Sequence, residues 1–490
     1  MTKRNQTFFA AILFSGLILR CIAIGSRSIQ YDDAFTFFLA GRSLVEIVQG
    51  TLADTMPPLF YFILHFWLWA GSSLIWIRLL SVLFSLAAVI LLFFVVRDLA
   101  DEEAALWAMG FAAISPFQIY HAQDIRMYAL LAAAQMAVYL FFVRIWLRRN
   151  SPGNSWWNWA GLVVSAVMVL YTHNLGVFGL AAPFFFLVLK KEYRLLFRYT
   201  GGMAAAGVLA LPWWLVLPEQ LQKIQTAFWT PRPGIIELTQ AIIQTIATLP
   251  LPMRWLYFAA FISLTLVVLV IIESWRRRKE SGVQFLALSV LSSPVIILAL
   301  SYLMRPIFVP RGFIIANLAF YGLAGILTAH KFPKGVGILL SLFFITASAI
   351  SLPYQISFCQ FPRSPFREAM LQLASTVKTD EVILHDNKLS YLPAHFYEPG
   401  LQQKFLPDEP GSHNDTFARA SQEAMQIFPE SNWRSAVNGK VGVYFVVFTQ
   451  TINEYKSMGL PHPVVDEINR EWHLEQHTVL NDLEIYHFLP

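Results

Sequence analysis

The chain has 490 residues, 56% hydrophobic and 14% charged, with a formal charge of +5. A mean hydropathy of +0.52 excludes an ordinary water-soluble globule and points to a polytopic membrane protein. The basic residues fall in short clusters between apolar runs, where they act as topology signals, so the pI near 9.1 implies no nucleic-acid partner.

Apolar runs long enough to cross a bilayer occupy 7–25, 74–97, 103–121, 126–147, 156–173, 174–189, 199–217, 254–275, 283–304, 307–329 and 335–354, which predicts eleven spans. The first run has no small-residue cleavage site after Arg20 and Cys21 and reads as an uncleaved signal anchor. Residues 57–70 are as apolar but shorter, and they open with Pro57 and Pro58. They are expected to lie in the interface or dip partway in. With that segment not crossing, every basic cluster falls on one side: Lys3 and Arg4, Arg97, Arg144 with Arg148 and Arg149, 190–198, 276–279, and Lys331 with Lys334. The positive-inside rule then places the N-terminus in the cytoplasm and the C-terminus outside a plasma membrane.

Charges return after Pro353. Residues 381–385 and 441–448 have strand character, and 366–377 and 415–428 helix character. The expected organisation is an all-α membrane bundle over 1–358, with outer loops at 26–56 and 218–253, followed by an extracytoplasmic α/β domain over 359–490. The two cysteines, Cys21 and Cys359, form neither a disulfide framework nor a zinc pattern.

In this topology the polar residues near span ends collect on the outer side. Asp32 and Asp33 are adjacent just beyond the first span, and two neighbouring carboxylates must be hydrated, paired with a cation or engaged by a substrate. Asp54 precedes Pro57 and Pro58, and a helix N-cap is its structural reading. Gln123, Asp124, Arg126 and Tyr128 form a polar run, in which Asp124 and Arg126 would otherwise only brace a turn. His173 at a span end has a hydrogen-bonding structural role as its alternative. Arg305 and Arg311 are either interfacial anchors or phosphate ligands. Jointly, an outward carboxylate can deprotonate an acceptor hydroxyl, and outward arginines can stabilise a phosphate leaving group. Glycosyl transfer from a lipid phosphate requires both, and a single displacement inverts the anomeric centre.

The motif series carries a resemblance. Asp32-Asp33-Ala34-Phe35-Thr36, Asp54-Thr55-Met56-Pro57-Pro58-Leu59, Arg78-Leu79-Leu80-Ser81, Ser115-Pro116-Phe117, Gln123-Asp124-Ile125-Arg126-Met127-Tyr128 and Thr172-His173 occur in that order. In this the chain resembles the GT-C fold glycosyltransferases, in particular the bacterial protein mannosyltransferase-like family that uses polyprenyl-phosphate sugars. The likeness covers roughly residues 25–180, with a looser echo around Arg311. It implies a multi-spanning membrane glycosyltransferase. Asp32 falls at the family's catalytic acidic position, which implies a base role, and Asp33 at its usual Glu, so both are candidate catalytic residues; Arg126 and Arg311 are candidates for the donor phosphate. Met56 stands where the family has His, Asp124 where it has Glu, and Gly312 where an aromatic commonly follows the arginine.

The sugar and the acceptor, whether protein, lipid or envelope glycan, are not encoded in any linear signature. A divalent metal is left open, since Asp32, Asp33 and Asp54 offer oxygen ligands to a hard cation. Two other classes are weighed against the enzyme. A transporter or flippase of a lipid-linked saccharide would suit a polytopic bundle, but polar breaks at mid-membrane and repeated halves are absent from the sequence. An inactive relative that recruits partners through its outer domain would account for Met56 and Gly312.

Overall fold

The computed structural model describes the chain except for residues 55, 152–155, 219, 221–229, 231, 249, 305, 330–334 and 409–415. Its contacts form two units, one of Met1–Ile24 with Thr55–Ser357, the other of Gly25–Asp54 with Phe358–Pro490. A linear boundary at 358/359 therefore does not describe the grouping, because the first loop is counted with the C-terminal residues. The reason lies in its two short helices, Tyr31–Ala40 and Leu44–Asp54, whose buried faces carry Phe35, Leu39 and Ile47. At 10 and 11 residues they are too short to span a bilayer and must cover those side chains by packing on protein.

The first unit is helical. Among the described residues six helices are long and apolar enough to cross a membrane: Leu74–Leu99, Tyr128–Leu147, Met253–Arg276, Ser281–Leu303, Pro310–Ala329 and Gly335–Ser357. The chain is a multi-pass membrane protein. The other expected spans are helices that are shorter or less apolar: Lys3–Cys21 runs unbroken for 19 residues but has a polar first turn and Arg20, Trp156–Thr172 has 17 residues, and some apolar runs contain breaks. Residues 103–121, for example, divide into Glu102–Ile114 and Pro116–Ala122. Pro116 has no N–H, so the carbonyl of Ala112 loses its helical donor. Arg20, fully buried in the first helix, replaces it: its guanidinium donates to Ala112 O at 3.2 Å and to Ala113 O and Gly16 O at 3.0 Å. Its Nε also reaches Ser85 Oγ at 2.9 Å. A charge in the membrane is tolerated here because it satisfies orphaned carbonyls.

Burial separates central from peripheral helices. The apolar windows of Pro310–Ala329 and Tyr128–Leu147 are 94% and 78% buried within the protein, whereas that of Met253–Arg276 is 28% buried. The peripheral helix shows Phe261, Leu264 and Ile271 outward, as suits contact with lipid. At the centre, a Cβ added to Gly325 would come within 2.6 Å of Ala108 N and 2.7 Å of Ala104 O. Glycine there lets two helices approach backbone to backbone. Residues 57–70 hold the ten-residue helix Leu59–Leu68, too short to cross.

The second unit holds a five-stranded mixed sheet in the order β2-β1-β3-β5-β4. Its strands are β1 Glu381–His385, β2 Gln403–Phe405, β3 Gly442–Phe448, β4 His473–Leu480 and β5 Leu483–Leu489. β1 pairs in parallel with β2 and β3, and β5 antiparallel with β3 and β4. The fully buried strands β1 and β3 match the two strands expected from their apolar runs. β4 alternates exposed and half-covered residues, which concealed it among polar segments. Two apolar cores cover the faces of the sheet, one around Val382, Phe445 and Phe488, the other around Met370, Ile383 and Val446. The C-terminal α/β character is thus as expected.

Candidate functional site

In the second unit, Asp32 and Asp33 occupy the first turn of helix Tyr31–Ala40, where carboxylates interact favourably with the helix dipole. Their environments differ. Asp33 is fully buried, and its Oδ2 accepts from the backbone N–H of Gln30 at 3.3 Å. The same oxygen lies 3.6 Å from Nη1 of Arg363, itself fully buried. Asp32 is partly exposed. The two carboxylates, equivalent in sequence, are thereby divided between one engaged in the interior and one that solvent can reach.

The helix that carries them is fastened to the C-terminal part of its unit. Arg363 Nη1 donates to Ser28 O at 2.8 Å, and Tyr397 Oη accepts from Ile29 N at 3.1 Å. The ring of Phe37 meets Phe396 edge-on at 4.9 Å, and Phe38 stacks on His395 at 5.4 Å. The second loop helix is held by Arg42, which donates to Met425 O, and by Ser421 Oγ, which donates to Gly50 O at 3.2 Å. The two loop helices pack closely at Gly50, where an added Cβ would lie 2.5 Å from Leu39 Cδ1. Lys388, almost wholly buried, pairs with Asp408 and sits 6.0 Å from the ring centre of Tyr31.

Asp54 is the last residue of helix Leu44–Asp54. The helix after it is Leu59–Leu68, and its N-cap is Pro58, so Asp54 does not supply the N-cap that its sequence position suggested. The intervening prolines move the helix start downstream.

In the first unit, the polar run after helix Pro116–Ala122 is buried. Gln123 Nε2 donates to Arg20 O at 3.0 Å and Ile22 O at 2.7 Å. It thus ties this turn to the end of the first helix. Asp124 Oδ2 lies 2.9 Å from His121 Nδ1. Arg126 Nη1 is 3.4 Å from Tyr61 Oη.

Tyr128 is surrounded: its ring lies 5.0 Å from His121, 5.8 Å from His173 and 5.9 Å from the Cζ of Arg311. Arg311 and Arg126 are both near enough to His173 for their charges to act on it. His173 Nδ1 accepts from Leu175 N at 3.0 Å, which leaves the ring proton on Nε2. Arg126, Tyr128, His173 and Arg311 therefore form one cluster, with two guanidinium groups and an imidazole N–H as donors for an anion. A Cβ added to Gly312 would meet Leu175 Cδ1 at 3.1 Å, so the departure from an aromatic accompanies close packing beside Arg311. Arg305 lies outside the described residues.

Sequence reasoning did not single out His121, Arg363, Tyr397 or the contact of Tyr61 with Arg126. His121 had a local signal, three residues before Asp124. Arg363 and Tyr397 had none, since their partners lie 335 and 368 residues away. No group of three or more His, Cys, Asp or Glu side chains suited to a metal ion occurs among the described residues.

Solved structures share the fold. ArnT from Cupriavidus metallidurans in the apo state matches with a TM-score of 0.64 and 12% identity, over 98% of this chain and 98% of that one. The fold is that of the GT-C glycosyltransferases. ArnT bound to undecaprenyl phosphate matches with the same TM-score at 10% identity, again over 98% of each chain. The oligosaccharyltransferase of Archaeoglobus fulgidus, tethered to an acceptor peptide, matches at 0.55 and 9% identity, over 99% of this chain and 74% of its own. Residues 55–217 match the model of the dolichyl-phosphate-mannose-protein mannosyltransferase family. That segment contains most of the motif series that carried the resemblance, though not Asp32 and Asp33. No curated protein matches by sequence.

Proposed function

We propose that this GT-C protein is an inverting glycosyltransferase that moves a sugar from a polyprenyl-phosphate donor to an extracytoplasmic acceptor. The observation that carries the reading is the family-model match over residues 55–217, within a chain whose whole length has the GT-C fold. Support for a lipid-phosphate donor comes from the related fold of ArnT, solved with undecaprenyl phosphate, and from the Arg126, His173 and Arg311 cluster.

In this reading Asp32, the partly exposed carboxylate, takes the proton of the acceptor O–H. The acceptor oxygen forms its bond to the anomeric carbon as the bond from that carbon to the phosphate oxygen breaks. The electron pair leaves on the polyprenyl phosphate, whose growing charge Arg126 and Arg311 stabilise, with Arg305 as a further candidate. Asp33 has the positional role that its burial and partners suit. Gln123, Asp124 and Tyr128 shape the arginine cluster, and Asp54 is kept as a substrate-binding candidate. The basic clusters support an N-terminus in the cytoplasm of a plasma-membrane protein and a C-terminal domain outside.

The test is transfer or release of sugar from radiolabelled polyprenyl-phosphate donors by the purified protein in lipid, comparing wild type with Asp32→Asn. Turnover in the wild type that is lost in the variant is expected. Asp32→Asn turning over donor at the wild-type rate would remove the base assignment, and a folded wild type inert toward all donors would overturn the reading.

A further inference from the structure

The α/β unit contains a continuous set of contacts that runs from a hairpin turn in the sheet to the acidic helix. At the β4–β5 turn, Asp482 Oδ2 accepts from the backbone N–H of Phe361 at 2.6 Å and from Ser364 Oγ at 2.8 Å. These two bonds bracket Arg363 and fix the loop from which it projects. Within that loop, Arg363 N donates to Gln360 O at 2.7 Å. The guanidinium then reaches Ser28 O at 2.8 Å and Asp33 Oδ2 at 3.6 Å. Arg363, Ser364 and Asp33 are all fully buried, so water does not take the place of the contact between the Arg363 guanidinium and the Asp33 carboxylate. Tyr397, on the helix Lys388–Tyr397, holds the adjacent N–H of Ile29. The residues on both sides of Asp32 are thereby held by groups from the C-terminal domain.

We propose that Arg363 is a positioning residue for the transfer reaction: through Asp33 and Ser28 it sets the place and direction of the helix turn that presents Asp32, which makes the C-terminal domain a working part of the transferase. The inference rests on the reading of Asp32 as the base. It assigns Arg363 no contact with either substrate. Both partners meet the same nitrogen, Nη1, which carries two N–H groups held in the guanidinium plane, whereas the ammonium of lysine is a rotatable point charge. A base displaced by about 1 Å loses on the order of 10²-fold in rate, so a residue that never meets the substrate can still govern turnover.

The experiment uses the full-length protein in lipid vesicles with a radiolabelled polyprenyl-phosphate sugar that the wild type accepts. kcat and donor KM are measured for Arg363→Gln, Arg363→Lys, Asp33→Asn, the Arg363→Gln/Asp33→Asn double variant and Tyr397→Phe. Arg363→Gln is expected to lower kcat at least about tenfold with donor KM unchanged, and Arg363→Lys to recover only part of it. The double variant is expected to lose little more than the worse single one, since both act through one contact. Tyr397→Phe removes one hydroxyl and keeps the ring, so it tests the second anchor in a folded protein if Arg363→Gln proves unstable. Its expected effect is a smaller fall in kcat, again without a change in KM. Wild-type kcat in both Arg363→Gln and Tyr397→Phe would overturn the proposal, as would losses that simply add in the double variant. If Asp32→Asn is inactive while these variants are fully active, only the positioning inference fails. If Asp32→Asn is fully active, the assignment of the base has failed first.

Discussion

His121 Nδ1 lies 2.9 Å from the Asp124 carboxylate, three residues ahead of it and buried with it, at the turn that leads into Arg126. The pair joins the end of helix Pro116–Ala122 to the buried polar run. Replacement of Asp124 by Ala would leave a buried imidazole nitrogen without this acceptor. The expected cost is about 1–3 kcal/mol of stability, read as a lower midpoint in thermal melts of the protein in detergent. In a double-mutant cycle with His121→Ala the two losses are expected not to add.

Asp32 and Asp33 should respond differently to the same change. Asp32→Asn is expected to reduce sugar transfer by at least about 10²-fold, the lower range for a positioned general base, and to leave the melting midpoint near that of the wild type. Asp33→Asn removes the charge that faces buried Arg363, and breaking such a pair from one side costs about 3–5 kcal/mol. Its melting midpoint should fall clearly. Equal midpoints for the two variants would contradict the division seen in their burial.

The arginine cluster predicts a donor-side phenotype. Arg126→Ala and Arg311→Ala are each expected to weaken donor engagement, with kcat/KM for the polyprenyl-phosphate sugar down by about 1.5–3 kcal/mol in transition-state terms. Lysine at either position should restore only part of the loss, because it lacks the planar fork that matches phosphate. Titration of the unglycosylated polyprenyl phosphate as a competitive inhibitor separates the effect on the anion from that on the sugar.

The α/β domain should be sensitive to acid through His385. Burial holds this imidazole down to about 3, against which its contact with Gln403 acts only partly. His395, stacked between Phe38 and Tyr391, is lowered by burial as well. In the unfolded chain a histidine binds its proton near pH 6.5. Between that value and the folded one the unfolded state therefore holds more protons, and stability must fall as pH falls. The His385 contribution is fully present above the unfolded value and declines below it, by at most about 1.4 kcal/mol per pH unit. Melting midpoints at pH 7 and pH 5 check this, and His385→Asn should flatten the dependence.

Close helix packing at Gly325 gives a prediction in the bundle. Gly325→Ala would place a methyl group against backbone atoms of helix Glu102–Ile114, which cannot rotate away as a side chain can. A loss of about 1–3 kcal/mol is expected, and Gly201→Ala, where a Cβ meets nothing, serves as the control in the same melting assay.

The sequence by itself determined the membrane class, the places of the major helices, strands β1 and β3, and the order of the motifs. Each of these is a local property: an apolar run, a basic cluster, a proline or a short β-branched stretch signals its structure within some twenty residues. Gln123, Asp124, Arg126 and Tyr128 were legible for the same reason, as an unusual polar run beside apolar helices. What separates Asp32 from Asp33 was not legible, because the two differ only in what surrounds them after folding. The partner of Asp33 is Arg363 and that of Ile29 is Tyr397, and neither has a linear signature. The grouping of residues 25–54 with the C-terminal domain was likewise a tertiary decision. Two helices too short to cross the bilayer must find their apolar cover wherever the folded chain offers it, and the sequence records the need without naming the surface that meets it.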